Sequence, residues 1–337
     1  MTPVAPMEAM LAEELPNGPG WQYEPKWDGF RCIAARSAGE VELWSKSGKP
    51  LARYFPEIET MFGRLKARDF ILDGELLIVA GGAVAFDALQ LRLHPAESRV
   101  RKLATETPAM FMAFDCLAVG REILGRAPLA DRRTQLVELL SRESEPSLQL
   151  SPATSDRDRA LGWLKRTGGA LDGVVAKRID LSYRPGERVM VKVKQRRTAD
   201  CVVGGFRYGS KHREVGSLLL GLYDHAGLLN HAGFTSSIAA RDRGAWTEEL
   251  EALVGPPGFT GNAPGGPSRW STERTGEWQP LKPVLVVEVL YDQVTAGRFR
   301  HGTRLLRRRP DKAPKQCTTD QLAPPLTPAQ LKQLMRA

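Results

Sequence analysis

Apolar residues recur at Ile58, Met61, Phe62 and Leu65 with the spacing of one helix face, so an amphipathic helix is expected there. Residues 128–142 carry a second helical stretch, with Leu136, Leu139 and Leu140 on one side. A third is expected after Ser155, a suitable N-cap, with Gly168 as its C′ residue. Between these lie short runs of strand character: Val41 to Ser45, Phe70 to Val79, Met110 to Leu117, Gly173 to Lys177 and Val189 to Lys194. Strands and helices mix, which is an α+β pattern. The second half reads differently. Cys201 to Phe206, Ser217 to Tyr223, Gly227 to Phe234 and Val284 to Tyr291 are strand-like, with glycine-rich connections, and one helix is expected near Trp246 to Val254. Gly255 to Ser268 reads as a loop, and Thr327-Pro328 opens a capped helix with Leu331 and Leu334 on its apolar side. A small β-barrel of the oligonucleotide-binding (OB) kind suits this half. The polar, basic stretch Gln195 to Asp200 separates the halves, so domains of residues 1–196 and 197–337 are expected.

Length agrees with two domains: the chain has 337 residues, against about 150 per domain. With 42% hydrophobic and 26% charged residues the composition is globular. No apolar run approaches the ~18 residues of a membrane span. Glu8, Glu13 and Glu14 precede Lys26, the first basic residue, so a secretory signal is not expected and the cytoplasm, near the nucleoid, is the expected location. The four cysteines, Cys32, Cys116, Cys201 and Cys317, are too far apart for a C-x-x-C pair, which excludes a zinc ribbon or a dense disulfide framework. The net charge of +9 fits a basic surface or a polyanionic partner. Its distribution favours the partner, because residues 298–315 hold eight Lys/Arg against one acid, Asp311. This cluster and the loop Arg207 to Arg213, with Lys211, His212 and Arg213, are candidate phosphate contacts.

Several charged residues sit where an apolar environment is expected. In Val189 to Lys194, alternation puts Val189, Val191 and Val193 toward the core and Met190, Lys192 and Lys194 on the other face. Paired lysines on one face either guard a sheet edge or clamp an anion. Glu24-Pro25-Lys26-Trp27-Asp28-Gly29-Phe30-Arg31 places a lysine between aromatic residues, carboxylates and an arginine. Such a lysine is either a surface group at a strand-end turn or a nucleophile whose pKa is lowered by its setting. Asp73 and Glu75 interrupt the apolar run 70–79. A turn at Asp73-Gly74 accounts for the first and not for Glu75, since an unpaired charge inside a strand is costly. Phe114 ends an apolar strand beside Asp115, and Asp172 and Lys177 flank the run Gly173 to Ala176.

In this order the segments resemble the six motifs of the covalent nucleotidyltransferases, the superfamily of ATP-dependent DNA ligases, RNA ligases and mRNA-capping enzymes. Lys26-Trp27-Asp28-Gly29 matches the first motif, with Arg31 in its usual place, and Ser45-Lys46-Ser47-Gly48 is similar to the next. Asp73-Gly74-Glu75 resembles the third, Phe114-Asp115 the aromatic strand after it, and Asp172 to Lys177 the fourth. Lys192-Val193-Lys194 resembles the fifth and Arg309-Pro310-Asp311-Lys312 the sixth, so the likeness runs from about residue 20 to 320. Tyr23 to Arg31, Tyr54 to Glu57, His94 to Arg99 and Arg197 to Cys201 look most like bacterial DNA ligase C. Two positions depart from the pattern: Asp172 stands where the family has Glu, and Lys46 where it commonly has Arg.

The resemblance implies an adenylation domain of antiparallel sheets and helices followed by an OB-fold domain, and a reaction in three steps. Lys26 attacks the α-phosphate of ATP, AMP passes to the 5′-phosphate of a nick, and the 3′-hydroxyl displaces AMP. It implies that Lys192 and Lys194 hold phosphate and activate Lys26, that Glu75 takes the ribose hydroxyls, and that Phe114 stacks on adenine. Glu24, Lys177 and Arg31 are then nucleotide contacts, Asp172 with Glu75 supports Mg²⁺ or Mn²⁺, and Arg309, Asp311 and Lys312 swing in to orient pyrophosphate. The implied partner is nicked duplex DNA met by a monomer, with Ku or a repair polymerase as further partners in DNA repair. RNA ligation and mRNA capping use the same chemistry and are the alternatives. An NAD-dependent ligase is disfavoured, since only 25 residues precede Lys26 and the four-cysteine module is missing.

Overall fold

A computed structural model describes residues 4–80, 83–165, 171–209, 213–265, 277–295, 297–322 and 327–335. The chain divides into two compact units, Met1–Gln195 with Pro325–Ala337, and Arg196–Pro324.

The first unit is built on two sheets. One has four strands in the order Glu8–Ala12, Arg188–Val193, Leu171–Arg178, Trp21–Trp27, the first pair parallel and the rest antiparallel. The other centres on Glu40–Ser45, Phe30–Ser37, Phe70–Ala80 and Ala109–Val119, all antiparallel. The apolar residues of helix Pro56–Arg64, among them Ile58, Met61 and Phe62, pack with Phe70 and Phe111 of the second sheet. Helix Leu129–Ser141 adds Leu136 and Leu139 to the same core. Both are the helices that the periodicity predicts. Helices Phe86–Arg92 and Glu97–Glu106 have no such signal in the sequence. Each is short, and they bury only three residues, Leu89, Arg92 and Val100, which is too sparse a stripe to set a period.

Three local expectations change. Helix Arg157–Lys165 is capped by Asp156 rather than Ser155: the Asp156 carboxylate accepts the amides of Asp158 and Arg159 at 2.8 and 3.3 Å. Its expected stop at Gly168 lies outside the described residues. The strand Arg188–Val193 is an inner strand, flanked on both sides, so its lysines guard no edge. Met190 there is buried with Met7, Leu117 and Tyr183, because the face opposite the valines is covered as well.

The second unit is a barrel. Its strands run in the order Leu229–Thr235, Val215–Tyr223, Arg197–Tyr208, Val286–Tyr291, Arg304–Arg308. A parallel bridge between Thr235 and Thr303 joins the two ends, and the Thr235 hydroxyl donates to the Thr303 carbonyl at 2.9 Å. Closing the sheet in this way removes its edges, as in an OB fold. The interior is filled by Val202, Phe206, Leu220, Val287 and their neighbours. The final helix, Pro328–Met335, is expected from chain order in the second domain but groups with the first unit. Leu331 and Leu334 are buried there with Leu15, Tyr23 and Trp163. A short amphipathic helix settles where its apolar stripe finds a matching cluster, which chain order does not reveal.

Candidate nucleotide site

The two-residue connection Asp28-Gly29 carries the chain from one sheet to the other. The strand before it, Trp21–Trp27, pairs with Leu171–Arg178, and the strand after it, Phe30–Ser37, pairs with Phe70–Ala80. Lys26 therefore lies where the two sheets meet. Gly29 is required at the crossing: a Cβ there would stand 2.2 Å from the carbonyl oxygen of Leu76.

A cavity of about 1080 Å³ opens at this junction, just above the range of about 300–1000 Å³ for small-molecule sites. Of the residues singled out from the sequence, Glu24, Lys26, Arg31, Glu75, Phe114, Lys177 and Lys192 line it. Asp172 and Lys194 stand behind Lys26 rather than in the lining. The Lys26 ammonium lies 2.5 Å from one oxygen of Asp172, and Lys194 lies 2.9 Å from the other. The carboxylate thus bridges two cations that would otherwise repel. Lys192 is pulled below the ordinary lysine value, first by burial and then by Lys26, Lys194 and Lys46.

Glu24 and Lys177 form a buried pair at 2.8 Å, and Gln22 donates to the other Glu24 oxygen at 2.7 Å. Loss of either partner would leave an uncompensated buried charge, a cost of about 3–5 kcal/mol. Arg31 clasps Asp73 with two hydrogen bonds of 2.5 and 2.6 Å. Its guanidinium lies 4.5 Å from the centre of the Phe114 ring, and the Lys177 ammonium is equally close to that ring. Phe114 is thereby held in place by two cations. Glu75, half-buried, is pushed up to about 7 by burial, against the pull of Lys26 and Arg31. Lys46 also lines the cavity and is paired at 3.2 Å with Glu8, an acid that no motif marks.

Arg309, Asp311 and Lys312 belong to the second unit. Arg309 grips Asp311 through two nitrogens and reaches Asp200 at 2.8 Å, and Lys312 reaches the other Asp200 oxygen at 2.9 Å. Two cations and two carboxylates therefore balance within this cluster. Lys211 and His212 lie outside the described residues, while Arg213 is paired with Glu251 at 3.4 Å.

Two residues, Met7 and Tyr183, join the site without a signal in the sequence, and a third, Asp73, joins it in a role that its sequence signal does not suggest. Asp73 is visible there as half of an acid pair, but the turn that would explain it does not form. It is a fully buried strand residue bound by Arg31 and by the Tyr183 hydroxyl. No periodicity marks Met7 or Tyr183, because both act across long sequence separations.

Two family descriptions match this chain: "ATP dependent DNA ligase domain" over residues 5–194 and "ATP dependent DNA ligase C terminal region" over residues 211–312. The chain is 43% identical over 341 residues to DNA ligase C2 of Mycolicibacterium smegmatis, covering 96% of each protein. It is 32% identical over 303 residues to the multifunctional non-homologous end joining DNA repair protein LigD of Mycobacterium tuberculosis, covering 88% of this chain and 37% of that one. Among solved structures, one from a structure–function study of Lig E DNA ligases superposes with a TM-score of 0.55 at 19% identity, covering 90% of this chain and 99% of that one, a likeness of fold.

Proposed function

Because this chain belongs to the ATP-dependent DNA ligases, we propose that Lys26 is the residue its ATP adenylates, and that Asp172 holds the lysine ready for attack. The observation that carries this reading is the bridged pair: Lys26 lines the cavity while its nitrogen rests 2.5 Å from a carboxylate that also binds Lys194. An attacking amine must shed its proton, and an acceptor has to stand within hydrogen-bond reach; Asp172 does. The Lys26 nitrogen then bonds to the α-phosphorus and pyrophosphate leaves. Lys192 and Lys177, in the lining, balance phosphate charge, which is most of what a protein contributes to phosphoryl transfer. Phe114, steadied by Arg31 and Lys177, offers its ring to adenine, Glu75 its carboxylate to the ribose hydroxyls, and Glu24 the pocket wall beside them. The AMP next moves to the 5′-phosphate of a nick, and the 3′-hydroxyl displaces it. Arg309, Asp311 and Lys312 serve the first step, orienting pyrophosphate.

The carboxylates assigned to Mg²⁺ or Mn²⁺ do not make a metal cage by themselves. Among the described residues no three His, Cys, Asp or Glu side chains converge, and each oxygen of Asp172 faces a lysine. Mg²⁺ is usually held by one or two carboxylates together with substrate phosphates rather than by an all-protein cage, so Asp172 and Glu75 would hold it on bound ATP, where it would neutralise phosphate charge, while every step above runs through the chain's own groups. The likeness to an end-joining repair protein supports work on broken or nicked duplex DNA, with a Ku-type end-binding protein or a repair polymerase as partners to test.

The test is to incubate protein with α-labelled ATP and divalent metal, then to chase with nicked duplex DNA. Wild-type protein should take up label and pass it to DNA. Lys26→Ala should take up none, and Asp172→Asn, which keeps shape but loses the charge, should be labelled at least tenfold more slowly, about the effect of removing one charge-assisted hydrogen bond. An acid-labile adduct on Lys26→Ala would overturn the nucleophile, and full-rate labelling of Asp172→Asn would overturn the role of Asp172.

A further inference from the structure

Behind the cavity, four groups close a ring of hydrogen bonds. Arg31 donates through Nη2 to Asp73 at 2.6 Å and to the Met7 carbonyl at 3.3 Å. The Met7 amide donates to the Tyr183 hydroxyl at 2.9 Å, and that hydroxyl donates to the same Asp73 oxygen at 2.6 Å. The members come from four places in the chain: the N-terminal segment, the strands Phe30–Ser37 and Phe70–Ala80, and the loop after Leu171–Arg178. Tyr183 is only 6% exposed and Asp73 fully buried, so no water competes for these bonds. Burial, and then the Asp73 charge, push the phenol far above its ordinary value, so it remains the donor that Asp73 requires.

A second buried pair lies alongside. Asp73 is the cross-strand partner of Asp115, and Asp115 is held by Arg132 through bonds of 2.7 and 2.9 Å. The Arg132 guanidinium lies 5.6 Å from the Tyr183 ring centre. One tyrosine thus touches both ion pairs, the one that carries Arg31 and the one next to Phe114. Its hydroxyl also anchors Met7, whose neighbours Pro6, Glu8 and Ala9 form part of the cavity wall.

We propose that Tyr183 is a positioning residue of the nucleotide site: its hydroxyl ties Met7 to Asp73 and so fixes the Arg31 guanidinium against Phe114. The proposal rests on the reading of this cavity as the ATP site. It assigns Tyr183 no contact with substrate. Its effect reaches ATP through Arg31, which separates it from a residue that merely supports the fold.

Tyr183→Phe keeps the ring and removes the hydroxyl, and self-adenylation of the full chain is measured with and without Arg31→Ala. The single Tyr183→Phe change should raise KM for ATP about tenfold, the factor carried by one hydrogen bond to a charged group. The rate at saturating ATP should stay within about twofold. In the Arg31→Ala background the same change should add less than about twofold, since coupled residues are not additive. An unchanged KM in Tyr183→Phe overturns the proposal, as do losses that multiply in the double variant. A fall in saturated rate with a large drop in melting temperature also overturns it, in favour of a purely structural role. If Arg31→Ala itself leaves KM for ATP unchanged, the ATP reading of the cavity fails first, and the two failures are told apart by that arm.

Discussion

Glu75 sits between opposed forces, and burial wins. Two cations, Lys26 and Arg31, favour its charge, but desolvation, reinforced by Asp73 and Asp28, lifts it from 4.5 to about 7. A carboxylate accepts hydrogen bonds from ribose hydroxyls; its protonated form accepts them less well. KM for ATP should therefore rise as pH falls through about 7, and Glu75→Gln should flatten that step; a profile identical in both proteins would remove Glu75 from the ribose. The linkage to stability has the opposite sense. A folded pKa above the unfolded one means that the contribution of Glu75 to folding is full below 4.5 and is lost as pH rises through about 7. Glu75 is legible in the sequence because a charge inside an apolar run demands a reason. Tyr183 is not, since a tyrosine in a polar loop demands none.

The elements that form the site are strands from two sheets, and within the four-stranded one a close backbone approach sets Asp172 beside Lys194. Gly173, beside Asp172, has φ +142°, and a Cβ there would stand 2.1 Å from the carbonyl oxygen of Val193, one residue before Lys194. Side chains are strained in that conformation by about 1–3 kcal/mol. Gly173→Ala should therefore lower the melting temperature by several degrees, and should slow self-adenylation more than stability alone accounts for, because Lys194 must shift from Asp172. Gly63→Ala is the control: it lies in helix Pro56–Arg64 with nothing within 4 Å of the added Cβ. A helical Gly→Ala change should leave adenylation intact and stabilise by up to about 1 kcal/mol. Equal losses in the two variants would dissociate the Gly173 backbone approach from the site.

Across the whole molecule, the basic excess is less available than its size suggests. Within 298–315, Arg307 is paired with Glu288, Arg308 with Glu249, and Arg309 and Lys312 with Asp200. Arg298 and Lys315 instead have uncharged partners, His231 and the Gly227 carbonyl, among their hydrogen bonds, and Arg304 is exposed at the start of its strand. These three are the better candidates for binding phosphate. Neutralising them together should lower the log–log salt slope of DNA binding by roughly 0.9 for each phosphate no longer neutralised. The same treatment of Arg307, Arg308 and Lys312 should lower it less, and equal slopes for the two triple variants would show that the internal pairs open on DNA.

What the sequence by itself determined is the inventory: the α+β first half, the barrel of the second, and the order of lysines and acids that marks an ATP-dependent DNA ligase. These follow from local pattern, since strand alternation, helix period and motif spacing are all properties of short windows. Only the tertiary structure decided which groups meet. It made Arg188–Val193 an inner strand, joined Lys26 and Lys194 through Asp172, moved the last helix to the first unit, and closed the ring of Arg31, Asp73, Tyr183 and Met7. Met7 and Tyr183 lie 176 residues apart. Pairings at that separation are chosen by how sheets stack and which buried charges can be matched, and no local window contains both partners.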